Sequence, residues 1–361
     1  MNGILGFIGV LILLYAGRSI ITPVLVAAFL WYLTNAISAY YRKILPGREF
    51  ASKITDSLRR NRFTARLSPI THYLYDMLAF GCAAATIGGL IWAFVVRIQP
   101  MFSQLIARLP EIQSRLNGLS DYISMHSGIN VSAASLPDLT GVITGIGASV
   151  AGIAATTGLV LVYTLFMFIE QGSFPRKFVK IFNGRASRGR ARVILDSITN
   201  NIKKYMFIKT FISGLTAILS YFVMLYFGLE FAAVWAFIIF ILNYIPTFGS
   251  IIACGLPILY SLVSMDNLRG PVAIAIGLVG LQIVIGNILE PRLTGNKLNL
   301  STLAILINLV FWGILWGPIG MFFSVPLLVA TLIILSQFDN TRWIAVLLSA
   351  NGEIPDVKVK V

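Results

Sequence analysis

Apolar residues occur along this chain in long blocks with few charges between them, spaced as membrane helices are. A helix needs about 20 apolar residues to cross a bilayer. By that measure residues 3–16 and 20–41 form an opening pair of spans, with Arg18 near the turn between them. Residues 77–96, 141–169, 210–228 and 271–289 each read as one further span. The blocks 231–264 and 301–336 are too long for one span, and neither holds a charged residue to divide it. Both are instead interrupted by proline and glycine. The first contains Asn243-Tyr-Ile-Pro-Thr-Phe-Gly249, and the second contains Phe311-Trp-Gly-Ile-Leu-Trp-Gly-Pro-Ile-Gly320.

Each interruption reads Pro, Gly, Pro: Pro246, Gly249 and Pro257, then Pro318, Gly320 and Pro326. Proline has no N–H to give and disrupts the preceding helical turn. At lipid depth, backbone can leave the helix only where protein or a water-filled cavity satisfies its polar groups. Paired interrupted segments are therefore a pointer to a transport path, as against hairpins that only pack. Counted as one broken unit each, the two blocks give eight membrane units; counted as two spans each, they give ten. The expected fold is an all-α integral membrane protein.

Two polar stretches are amphipathic. Phe102, Leu105, Leu109, Ile112, Leu116, Leu119 and Ile123 recur at alternating steps of three and four, an a/d stripe. This predicts a helix lying on the outer leaflet or its own membrane domain, or else a contact between protomers. Ile194, Ile198, Ile202 and Met206 recur every four residues among Arg and Lys, which predicts an interfacial helix feeding the next span. The G-x-x-x-G spacings at Gly141/Gly145 and Gly313/Gly317 favour close helix packing.

Composition agrees with this class. The chain is 57% hydrophobic and 12% charged, against about 25% charged residues in soluble domains. Residues 1–16 have no positive charge before the apolar run and no Ala-x-Ala site after it, so they read as a retained membrane segment. The net charge of +14 is uneven. Residues 42–76 hold eight Lys/Arg against three acids, and 171–209 hold ten against Asp196 alone. Residues 97–140 hold three of each sign. The positive-inside rule then puts both basic loops and both chain ends in the cytoplasm and 97–140 outside. Contact with anionic lipid accounts for the basic loops without a nucleic-acid partner.

The organisation expected is therefore N-terminal helices with a basic loop (1–96), an extracytoplasmic amphipathic segment (97–140), a membrane helix and basic amphipathic helix (141–209), a core with broken helices (210–336) and a cytoplasmic tail (337–361). Cys82 and Cys254 lie in apolar surroundings and are expected as buried free thiols. His72 and His126 have no partner at metal-ligand spacing, and no phosphate-binding loop, zinc motif or nucleophile elbow occurs. No enzyme chemistry, cofactor or metal site is expected.

Between the two breaks lie Gln282 and Gly286-Asn-Ile-Leu-Glu-Pro-Arg-Leu-Thr-Gly295. Pro291 predicts a helix end at Leu289, with Glu290 and Arg292 fixed by the turn, Arg292 capping exposed carbonyls or pairing with Glu290. They act there as a gate, as a coupling site for protons or cations, or only as a snorkelling pair at the membrane edge. No carboxylate falls clearly at mid-bilayer. The candidate path or gate residues are Asn243, Pro246, Thr247, Gly249, Gln282, Asn287, Glu290, Arg292, Gly317, Pro318 and Gly320.

Residues 228–335 resemble the autoinducer-2 exporter family of bacterial membrane proteins. The resemblance is carried by 243–249, by Asn287 through Gly295, and by Gly317-Pro-Ile-Gly320 followed by Val325-Pro326. It implies a helical membrane bundle in the bacterial inner membrane, assembled as a homo-oligomer, a pentamer with one path per protomer. It also implies export of a small polar metabolite such as autoinducer-2. Some members are instead similar to sodium/proton antiporters, so a cation/proton antiporter stands as a second reading, with H+ or Na+ as coupling ion. A membrane scaffold assembled through 101–124 is a third. A mid-membrane carboxylate would favour antiport.

Overall fold

A computed structural model describes residues 2–44, 68–127, 141, 143–145, 156–181, 184–265, 267–294 and 299–353. Among the described residues the regular elements are helices, and the one β-bridge joins Leu300 to Ser349. The elements are α1 Asn2–Ala16, α2 Arg18–Ile44, α3 Ser68–Ser127, α4 Thr157–Glu170, α5 Phe174–Lys180, α6 Arg185–Tyr226, α7 Ala232–Leu242, α8 Phe248–Ser264 and α9 Arg269–Gln282. A π-helical segment, Ile283–Leu289, leads into α10 Glu290–Thr294, followed by α11 Thr302–Leu335 and α12 Arg342–Leu348. Among the described residues five helices are long and apolar enough to cross a membrane, and the all-α membrane architecture is as the hydropathy pattern implies.

The chain forms two compact units. The smaller comprises residues 23–99 and 157–170, and the larger comprises 1–22, 100–156 and 171–361. In the smaller unit small residues allow close packing: Ala27, Ala79 and Ala83 are fully buried. Thr164 Oγ1 reaches the Ala27 carbonyl at 3.4 Å, and Phe80 stacks on Phe168. Arg42 pairs with Asp76 at 3.3 Å, and Tyr75 donates to the Arg42 carbonyl. Cys82 is exposed in this unit, whereas Cys254 in the larger one is buried, so only the second matches expectation.

Three boundaries differ from the hydropathy reading. Helical hydrogen bonding continues on both sides of Gly17, from its N–H to Leu13 and from Ile21 to its carbonyl, so one residue joins α1 to α2. At 15 residues, α1 is about 22 Å long and too short to span alone. The span expected at 77–96 does not end there: α3 continues through Pro100 and Pro110 into the amphipathic stretch. Leu105, Leu109 and Ile112 are buried within the larger unit, so that stripe packs on its own chain. Likewise Ile194 through Met206 belong to the same helix, α6, as the span that follows.

The two interrupted blocks fold back on themselves. Helices α7 and α8 pack together, and Tyr260 meets both Phe231 (6.1 Å between ring centroids) and Trp235 (5.3 Å). Residues so far apart in sequence meet only if the chain reverses between them. The reversal is at 243–247, where Thr247 has φ 61° and ψ −65°. In α11 the break is Gly317, at φ 64° and ψ −148°. Asn308 Nδ2 donates to the Ser324 carbonyl at 2.6 Å, although a straight helix would hold residues that far apart in sequence about 24 Å from each other. Residues 302–316 and 318–335 are thus the arms of a second hairpin. Gly313 lies against Met321 of the opposite arm, so this part of the G-x-x-x-G serves packing within the hairpin.

Both reversals need glycine for closeness. A Cβ on Gly249 would overlap the Leu242 carbonyl oxygen, and one on Gly320 would overlap that of Trp312. In each hairpin the returning arm crosses the last carbonyls of the incoming one.

Candidate functional site

Helix α6 carries a polar stripe through an otherwise apolar span. Lys209, Ser213, Thr216 and Ser220 recur at steps of four, three and four, and all four are buried. That spacing puts them on one helical face. Four buried polar side chains on one face of a membrane helix are costly unless each finds a partner. Thr216 donates to the Ile212 carbonyl of its own helix. The partner of Ser213 comes from the first hairpin and that of Lys209 from the segment around Glu290.

Asn243, at the first hairpin tip, is 3% exposed, and its Nδ2 donates to Ser213 Oγ at 3.2 Å. The next residue, Tyr244, donates its hydroxyl to Thr210 Oγ1 at 2.8 Å and stacks on Phe322 of the second hairpin. The first tip is therefore bound to α6 by two side-chain hydrogen bonds, and it meets the second hairpin through an aromatic pair. About one turn along α6, Lys209 Nζ lies 2.6 Å from Glu290 Oε1, with side-chain exposures of 7% and 28%. Tyr205, also buried on α6, is within electrostatic reach of Glu290 and Tyr244. The pairs Asn243–Ser213, Tyr244–Thr210 and Lys209–Glu290 follow one another along α6 as a polar seam.

The expectation at Glu290 is corrected here. The helix does not end at Leu289; it passes into Glu290–Thr294 through a π-helical stretch, and the Glu290 N–H reaches back five residues to Ile285. The wider turn accommodates Pro291, which has no N–H for a regular turn. Glu290 pairs with Lys209 rather than with Arg292, whose side chain is exposed. Lys209, counted by charge with the cytoplasmic loop, is a buried residue of the span.

A family model described as "AI-2E family transporter" matches residues 4–340. The chain belongs to the AI-2E transporter family. It is 38% identical over 193 residues to the AI-2 transport protein TqsA of Escherichia coli K12, covering 53% of this chain and 54% of that protein. A Borreliella burgdorferi protein, provisionally named a transport protein, is 36% identical over 251 residues, 66% and 67% of the two chains. A similarly named Haemophilus influenzae protein is 32% identical over 208 residues, covering 57% and 59%. The chain spans about half to two thirds of the length of the curated relatives it matches. With its apolar helices, this AI-2E family member is an integral membrane protein.

The remaining candidate residues of this AI-2E chain fall into three groups. Pro246, Thr247 and Gly249 shape the first tip, with Thr247 exposed and Gly249 buried. Gly317, Pro318 and Gly320 shape the second. Gln282 is half-buried just before the π-helical stretch, and its amide lies near Gly286. Asn287 is exposed on that stretch. No contact joins Gln282, Asn287 or Arg292 to the seam among the described residues.

Sequence reasoning missed Lys209, Thr210, Ser213, Thr216, Ser220, Tyr244 and Phe322. The signal for four of them was available, since Lys209, Ser213, Thr216 and Ser220 follow helical spacing inside an apolar block. A second polar cluster lies at the other end of α6. Arg108 pairs with Glu230 at 2.6 Å, Tyr260 donates to Glu230 at 3.1 Å, and Arg115 reaches the Val263 carbonyl at 3.4 Å. These contacts fasten the amphipathic part of α3 to the turns that begin α7 and end α8.

Proposed function

We propose that this chain is a membrane transporter that exports a small, polar, hydroxyl-rich metabolite such as autoinducer-2. The observation that carries this reading is the Asn243–Ser213 contact. An amide at the tip of a broken segment faces a buried stripe of hydroxyls on α6. Ser213, Thr216, Ser220, Thr210 and the Tyr244 hydroxyl present donors and acceptors along one seam, the chemistry a polyhydroxylated solute exchanges for water. The hairpin tips supply the non-helical backbone that accompanies solute sites in membranes. The TqsA name supports the solute class, at 38% identity over 53% of this chain.

A cation/proton antiporter requires a carboxylate open to a cation. Glu290 is already paired with Lys209, which favours the exporter. In the proposed cycle, the solute replaces the internal hydrogen bonds of Asn243 and Tyr244, and the tips part from α6 and from each other to let it pass. Reconstituted Asn243→Leu should remain folded and lose most autoinducer-2 flux, whereas Asn243→Gln should retain part of it. Wild-type flux in Asn243→Leu would remove the seam as the path.

A further inference from the structure

Within the seam, Lys209 and Glu290 form an ion pair in which the ammonium side is buried and the carboxylate side half-buried. Nζ lies 2.6 Å from Oε1, and only 7% of the Lys209 side chain is exposed. Glu290 sits on α10, which packs on α6, and Arg292 of the same short helix is exposed and does not compete for it. The Tyr205 hydroxyl, uncharged, is within electrostatic reach of Glu290. A carboxylate drawn partly out of water is stabilised by a positive partner. An ammonium and a small inorganic cation carry the same charge and accept the same oxygen ligands.

We infer that the Lys209 ammonium occupies the seat of a monovalent cation at Glu290. The protein as built therefore takes no sodium there, and removing the ammonium opens a latent sodium site. The cation is supplied by the chain itself, tethered to α6. Given the solute path proposed above, flux along it is then independent of sodium. The carboxylate, the Tyr205 hydroxyl and water would supply oxygen ligands to an ion arriving in place of the ammonium.

Thermal unfolding of the purified full chain, in sodium chloride and in choline chloride at equal ionic strength, tests the inference without any carried solute. Wild type and Lys209→Arg should melt at the same temperature in both salts. Lys209→Gln should melt at least ~2 °C higher in sodium than in choline, as expected for an ion that binds only the folded state. Lys209→Gln/Glu290→Gln should lose that difference. Recovery of folded Lys209→Gln only when it is extracted in sodium would support the same conclusion. Sodium-specific stabilisation of the wild type would overturn it, and so would a folded Lys209→Gln indifferent to sodium or a variant lost in both salts. Normal flux in Asn243→Leu would remove the proposed path yet leave these melting results standing, so the two readings fail separately.

Discussion

Tyr244 lies on Phe322 with 4.3 Å between ring centroids and 27° between ring planes. The two residues belong to different hairpins, and each sits within a few residues of its hairpin's reversal. Their stacking is a direct side-chain link between the two tips. The Tyr244 hydroxyl is separately engaged by Thr210, so ring and hydroxyl tie one residue both to the second hairpin and to α6. A double-mutant cycle with Tyr244→Leu and Phe322→Leu should show a coupling of about 0.5–1.5 kcal/mol in unfolding free energy. Additive effects would mean the rings are neighbours without mutual support. Tyr244→Phe should preserve the coupling while losing the hydrogen bond to Thr210.

The glycines at the reversals should be intolerant for steric reasons. Gly249→Ala and Gly320→Ala each force a methyl group onto a backbone carbonyl oxygen that belongs to the opposite arm. Backbone cannot yield as a side-chain end can, so each substitution should cost about 2–4 kcal/mol, above the usual overpacking range. Gly255→Ala is the control: it lies in α8, and an added Cβ there meets nothing within 4 Å. It should be neutral or slightly stabilising because alanine favours helix. Equal stabilities for all three would show that the hairpins open readily enough to absorb a methyl group.

The charge distribution makes a topological prediction. With Cys82 and Cys254 replaced, single cysteines at Ser57 and Ser187 should resist an impermeant thiol reagent on intact cells and react after permeabilisation. A cysteine at Ser120 should react from outside. The basis is the excess of ten basic residues over one acid in 171–209 and of eight over three in 42–76. Labelling of Ser187 on intact cells would reverse the orientation.

Much of the fold was legible because its signals are local. Length and apolarity announce a membrane helix, and proline with glycine announces a break, so both reversals appear where the sequence implies them. Helix continuity was harder to read. Polarity changes at residue 97 and again near 209, yet helical hydrogen bonding in α3 and α6 continues past both, because an amphipathic stripe and an apolar span share one backbone geometry. The Lys209–Glu290 pair was invisible for a different reason. Its members are far apart in sequence, while Arg292 stands two residues from Glu290 and offers the nearer opposite charge. Adjacency favoured Arg292; the wide turn before Pro291 turned the carboxylate towards α6 instead.

That wide turn resets angular phase. Each α-helical residue advances about 100° around the axis, and a stretch closing five residues back rather than four admits extra residues between fixed faces. Side chains before Ile283 and after Leu289 therefore obey different clocks, and Glu290 faces Lys209 in the second. Deleting one apolar residue from 283–289 would leave the hydropathy of the segment nearly unchanged. It would still swing the carboxylate roughly a quarter-turn away from its cation. The segment is best regarded as a spacer whose length, more than its composition, is what the charge pair depends on.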